Sequence, residues 1–165
     1  MKDLVSEHVT KRSSYVDYIS YSKLKKKWHV GVSRYPAYKQ QLYIEHPSFP
    51  HDLVNDNFKK GFFISTIAFG DGHWIIIMRK ESYQHQLVKS YDADALDLNE
   101  INNILSQGYA ITALAKNDFT HNIVFTKGTG IKEQLLRWEE EIPALEIKNY
   151  WEKGYDLYKV YYLQR

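Results

Sequence analysis

The sequence predicts an α+β protein built from three α-β-β-β segments of about 46 residues and a final α-β. Three observations carry this. A glycine followed by an aromatic recurs as Gly61-Phe62, Gly108-Tyr109 and Gly154-Tyr155, spaced by 47 and then 46 residues. Large apolar residues stand seven and three positions before each glycine: Val54 and Phe58, Ile101 and Leu105, Ile147 and Trp151. That i, i+4 spacing is the apolar stripe of a short helix ended by a glycine C-cap. Downstream the period changes to two, as in half-buried strands. A Gln-Leu pair then recurs at Gln41, Gln86 and Gln134 and opens a third strand.

The elements follow in order. The first helix is "DLVSEHVTKR", with Val5 and Val9 as its stripe and Arg12 where glycine stands elsewhere. "YVDYISYS", a basic turn, "WHVGVSR" and "QLYIE" complete that copy. In the second, "FFISTIAF" and "WIIIMRK" flank Gly-Asp-Gly, a strong hairpin signal, and "QLVKSY" follows. In the third, "YDADALD" supplies N-cap carboxylates for a helix starting near Leu96, then come "YAITALAK", "NIVFTK" and "QLLRWE". The last helix, "PALEIKNYWEKG", has proline near its start. The strand "DLYKVYYL" then completes a sheet begun near the N-terminus, hiding an edge. The expected organisation is one domain, 1–165, with units near 1–48, 49–94, 95–142 and 143–165. No unit covers its own sheet face alone, so neighbours share a core, with helices on one side of a mostly antiparallel sheet. Closure around a pseudo-threefold axis, as a barrel or small α/β propeller, and an open curved sheet both satisfy the pattern.

Composition agrees with a β-rich domain: 44% of residues are hydrophobic, and 14 tyrosines suit half-buried sheet faces. With no cysteine, disulfides, thiol catalysis and cysteine-ligated zinc are excluded. The start "MKDLVSEHVTKR" carries no signal-peptide run, and no segment is long and apolar enough to span a bilayer, so the expectation is a cytoplasmic protein with no membrane partner. Residues 1–40 hold nine Lys or Arg against three Asp or Glu, and the remainder is net acidic.

Two candidate sites emerge. Seven residues before each strand-opening glutamine stands a cation, so Arg34, Arg79 and Lys127 with Gln41, Gln86 and Gln134 form a polar column. Gathered on one rim, they would hold an anion or acidic peptide through charge-assisted hydrogen bonds; the plainer reading is turn chemistry. The second site is a basic-aromatic patch, Lys25, Lys26, Lys27, Trp28, Tyr35, Tyr38 and Lys39, within the Lys23–Lys39 region. Basic residues beside stacking rings suit a nucleotide or single-stranded nucleic acid, while a lysine-rich turn also protects a strand edge. His73 and His121 align, thirteen residues before their glutamines, but Trp28 takes the matching place in the first copy. No metal-ligand spacing, nucleophile elbow or phosphate loop is present, so neither a catalytic residue, a metal nor a cofactor is expected.

The residues Gly61, Ile64, Ala68, Trp74, Met78, Tyr83 and Gln86, then Gly108, Tyr109, Ile111, Thr112, Ala115 and Gln134, and finally Ile147, Trp151, Gly154 and Tyr155, carry a resemblance. Over residues 15–160 the chain is similar to an uncharacterised repeat domain at the C-terminal end of plant casein-kinase-I-like kinases, also found in bacteria. The kinase domain itself is missing, with no glycine-rich ATP loop, His-Arg-Asp or Asp-Phe-Gly. The resemblance implies a non-catalytic accessory module of unknown ligand. The expectation is a binding module for a protein or anionic ligand, with a nucleotide or nucleic-acid binder as the alternative.

Overall fold

The computed structural model describes residues 14–34, 40–134, 136 and 143–156. The chain divides into two units, Met1–Glu133 and Gln134–Arg165. Among the described residues of the first lie eight strands: β1 (Ser14–Ser22), β2 (Lys27–Arg34), β3 (Gln41–His46), β4 (Phe62–Gly70), β5 (His73–Lys80), β6 (His85–Asp92), β7 (Tyr109–Lys116) and β8 (Thr120–Lys127). It also holds helices α1 (His51–Lys59) and α2 (Leu98–Ser106), and the second unit holds α3 (Ala144–Glu152).

The expected α+β class and antiparallel pairing are found, but the single sheet is replaced by three: β1-β2, β3-β5-β4 and β6-β8-β7. No closed barrel forms among the described residues. The Gln-Leu strands do not stay with the hairpin that precedes them. β3 pairs with β5 and β6 pairs with β8, so each pairs with the return strand of the next hairpin.

Stacked sheets explain the continuous apolar run of β5, where Trp74 to Met78 are each at most 1% exposed. Ile75 and Ile77 join Val16 and Ile19 of β1 and Ala68 of β4. Ile76 and Met78, on the opposite face, join Val54 of α1, Ala113 of β7 and Val124 of β8. A strand buried on both faces loses the alternation that marks a half-buried one. Each such side chain is worth roughly 1.5–3 kcal/mol of burial. The central sheet is thus covered on one face by β1 and β2 and on the other by α1 together with β7 and β8.

The helices end as their sequences require. Gly61, Gly108 and Gly154 have φ of +77°, +85° and +85°, and their amides donate to the carbonyls of Phe58, Leu105 and Trp151. A side chain there costs about 1–2 kcal/mol of left-handed strain. Asp97 caps α2, its carboxylate accepting from the Glu100 amide at 2.9 Å. Asp71 and Gly72, both left-handed, form the two-residue turn between β4 and β5. Each hairpin carries a bulge at the same depth, at Asp17, Ser65 and Thr112. The helix expected from "DLVSEHVTKR", with Arg12, and the terminal strand "DLYKVYYL" fall largely or wholly outside the described residues.

Candidate functional site

The glutamines of the polar column are internal staples. Gln41 is 6% exposed: its Oε1 accepts from Val16 N at 3.3 Å, and its Nε2 donates to Ser14 O at 2.7 Å. Gln86 is 3% exposed: its Oε1 accepts from Ile64 N at 2.6 Å, and its Nε2 donates to Ile64 O at 3.1 Å and to Thr126 Oγ1 at 2.7 Å. Val16 and Ile64 each immediately precede a bulge. A bulge leaves backbone groups without ladder partners, and an amide side chain supplies both a donor and an acceptor to replace them. These two glutamines are therefore withdrawn from the ligand-binding set, because their polar atoms face buried backbone. Gln134 opens the second unit and is half-buried.

The cations do not form one column either. In register, Ser14, Phe62 and Tyr109 pair with Arg34, Lys80 and Lys127, whereas Arg79 pairs with Phe63, one residue earlier. A one-residue step on a strand turns a side chain to the opposite face. Lys80 lies over the Phe62 ring at 4.8 Å and Lys127 over the Tyr109 ring at 5.5 Å. The Lys80 ammonium also donates to the Lys60 carbonyl at the end of α1. A cation there complements the negative end of the helix. Arg79 turns inward: it donates to Val16 O at 2.9 Å and to Asp17 Oδ1 at 2.7 Å, with its guanidinium 5.0 Å from the centre of the Tyr15 ring. Counting nineteen residues from the glycine, rather than seven back from the glutamine, would have aligned Lys80 with Lys127.

The same slip corrects the histidines. Tyr21, Phe69 and Lys116 pair with Trp28, Trp74 and His121, so His121 takes the place of a tryptophan, and His73 is offset by one. His121 is 1% exposed and donates from Nε2 to the Ala93 carbonyl at 2.9 Å. Burial pushes its pKa below the usual histidine value, outweighing the opposing bond to Ala93. Among the described residues, no three His, Asp or Glu side chains gather to hold a metal.

The basic-aromatic patch is half accessible. Lys23, Leu24, Lys25, Lys26 and Lys27 are all exposed, Leu24 at 86%. Lys26 is held at φ +47°, so the turn is tight and its lysines fan outward. Lys23 pairs with Asp118 on the β7–β8 turn and holds that carboxyl below the usual range. That bridge ties the β1–β2 turn to a second turn, whose Phe119 is 78% exposed. Phe119 is fixed by Asn117, whose Oδ1 accepts from Phe119 N at 2.9 Å, and by Ala93 N, which donates to Phe119 O at 2.8 Å. Trp28, by contrast, packs 4.9 Å from the Tyr21 ring and against the core of Val16, Ile19 and Ile75. Its ring is half-buried by these contacts. Tyr35, Tyr38 and Lys39 lie outside the described residues.

No helix among the described residues is long and apolar enough to cross a membrane. No curated protein and no solved structure matches the chain in comparison. Residues 2–97, more than half of the sequence, match a domain of unknown function, DUF7477, and the chain belongs to that family.

Proposed function

We propose that the chain is a non-catalytic interaction module that engages an acidic protein segment or other anionic ligand through the β1–β2 turn. One observation carries this reading: Lys25, Lys26 and Lys27 project from a tight turn beside exposed Leu24, with no described side chain engaging their ammonium groups. Gln41, Gln86 and Arg79 are spent on the scaffold. Clustered, solvated cations on a rigid support raise the local concentration of an anionic partner and speed its encounter. Arg34 stays exposed at the far end of β2, away from the turn, with Tyr35, Tyr38 and Lys39 next in sequence.

The same reading takes the hairpins as copies of one α-β-β-β unit around a pseudo-threefold arrangement. Matching bulges, helix-ending glycines and two glutamine staples support it, as does the Lys23–Asp118 bridge between the first and third hairpins. An accessory role accords with the resemblance to the kinase-associated repeat domain. The nucleic-acid alternative is less favoured because Trp28 packs against Tyr21 and the core, which leaves its ring only partly accessible to a base.

The test is fluorescence anisotropy with a labelled poly-glutamate peptide and a single-stranded oligonucleotide, at physiological salt. Binding of the peptide, weakened about tenfold or more by Lys25→Ala/Lys26→Ala/Lys27→Ala, is the expected result. Unchanged binding in that variant overturns the assignment. Preference for the oligonucleotide transfers the same surface to the alternative partner.

A further inference from the structure

A separate cleft runs between α1 and β6, and it shares no residue with the β1–β2 turn. It has a volume of about 470 Å³, within the usual range for small-molecule sites. On one wall stand His51, Asn55 and Lys59, four residues apart and so on one flank of α1. Across from them, Gln84 and His85 lead into β6. The cleft also contains Phe58 and Phe63, whose rings are 6.1 Å apart and inclined by 25°, with Tyr83 edge-on to Phe63 at 5.6 Å.

Among the described residues no carboxylate lines this cleft, while the Lys59 ammonium and the imidazoles of His85 and His51 do. The nearest acid on the helix, Asp56, pairs with exposed Lys59 at 2.8 Å and leaves that ammonium two further donors. The Tyr109 hydroxyl lies 3.0 Å from His85 Nδ1. With the phenol donating, the neutral ring carries its proton on Nε2, ready to donate to an anion. His51 Nε2 is 3.2 Å from Ser90 Oγ, whose own proton goes to Asn122 Oδ1 at 2.5 Å, so the imidazole is oriented by donating to the serine.

These groups are not inherited scaffold. Aligned on the helix-ending glycines, the three helices keep their apolar stripe: Val54, Ile101 and Ile147, then Phe58, Leu105 and Trp151. At the cleft positions they diverge. His51 corresponds to Leu98 and Ala144, and Lys59 to Ser106 and Glu152. Among the three helices the His51 imidazole and the Lys59 ammonium therefore belong to α1 alone, and packing does not require them.

We propose that this cleft binds a small amphipathic anion, an aromatic ring bearing a carboxylate or phosphate. The ring lies against Phe58 and Phe63, where aromatic contacts in offset or edge-on geometry add to apolar burial. The anionic group meets Lys59 and the His85 Nε2–H, both charge-assisted donors to an oxyanion.

A two-dimensional amide NMR titration tests this with phenyl phosphate, inorganic phosphate and benzyl alcohol as probes. Phenyl phosphate is expected to shift the amides of residues 51–59 and 84–88 saturably, and to bind at least tenfold tighter than either half-probe. Lys59→Gln and His85→Gln should each weaken it about tenfold. His51→Leu, which installs the residue of α2, should weaken it less. Equal affinity for inorganic phosphate, equal affinity for benzyl alcohol, or unchanged affinity in both the Lys59 and His85 variants each overturns the proposal. Lys59 is exposed, so its variant keeps the fold, and unchanged spectra elsewhere verify that.

Discussion

The two three-stranded sheets share a strand order but differ in what they bury beside their glutamine. In β3-β5-β4, Gln41 stands opposite Arg79, which reaches out to the bulge of β1 and pairs with Asp17. In β6-β8-β7, Gln86 stands opposite Thr126, whose hydroxyl takes the Gln86 amide and lies 2.7 Å from Thr112 Oγ1, on the bulge of its own sheet. One sheet holds its neighbour with an ion pair as well as an amide; the other uses neutral groups alone. The recurring amide marks the scaffold, and the residue facing it is free to vary. A cation that looks like one of a set is then a local solution to a local bulge.

The largest effect expected is at the amide. Gln86→Ala leaves the buried Ile64 amide and carbonyl without their side-chain partners and should lower stability by roughly 3 kcal/mol. Gln41→Ala should cost less, because it anchors a two-stranded hairpin; denaturant midpoints of the two variants compare them directly. Next comes the ion pair. Arg79→Met abandons the Asp17 carboxylate, which is largely buried, and should cost about 2 kcal/mol, whereas Thr126→Val should cost about 1 kcal/mol. Adding Asp17→Asn to Arg79→Met should recover part of the loss.

A smaller effect is expected at the helix ends. Gly61→Ala and Gly108→Ala should each cost about 1 kcal/mol through left-handed strain, similar in both sheets because the geometry is the same. The smallest separates the sheets by pH. His121, where the other sheet has Trp74, is buried with a lowered pKa, so the unfolded chain binds its proton first as pH falls. Its contribution is intact above the ordinary histidine pKa and declines below it, towards the lower folded value. The melting temperature should fall between pH 7.5 and pH 5.5, and by less in His121→Gln.

The helix ends, the hairpins and their approximate boundaries were legible because backbone chemistry writes them in few residue types: a left-handed glycine after an apolar i, i+4 pair, and Gly-Asp-Gly at a two-residue turn. Stacking of separate sheets was less legible. The run Trp74 to Met78 gave the hint, since a strand open on one face would alternate. The polar column misled because glutamine and arginine are usually exposed, and sequence spacing cannot tell a rim from a bulge. The backbone partners of Gln41 lie on β1, 25 and 27 residues away in sequence, and only tertiary pairing reveals them. The α1–β6 cleft was invisible for a related reason: its helix and strand walls come from residues 25 or more apart, with no shared motif.

The central claim is that partners meet the β1–β2 turn while the recurring polar residues hold the scaffold. Anisotropy titration of a labelled poly-glutamate peptide, at physiological salt, tests it across two variants. Lys25→Ala/Lys26→Ala/Lys27→Ala should lose about tenfold or more in affinity with its melting temperature unchanged. Lys80→Gln/Lys127→Gln should keep its affinity and melt earlier. Equal binding in the first variant, or loss of binding in the second, would contradict the account.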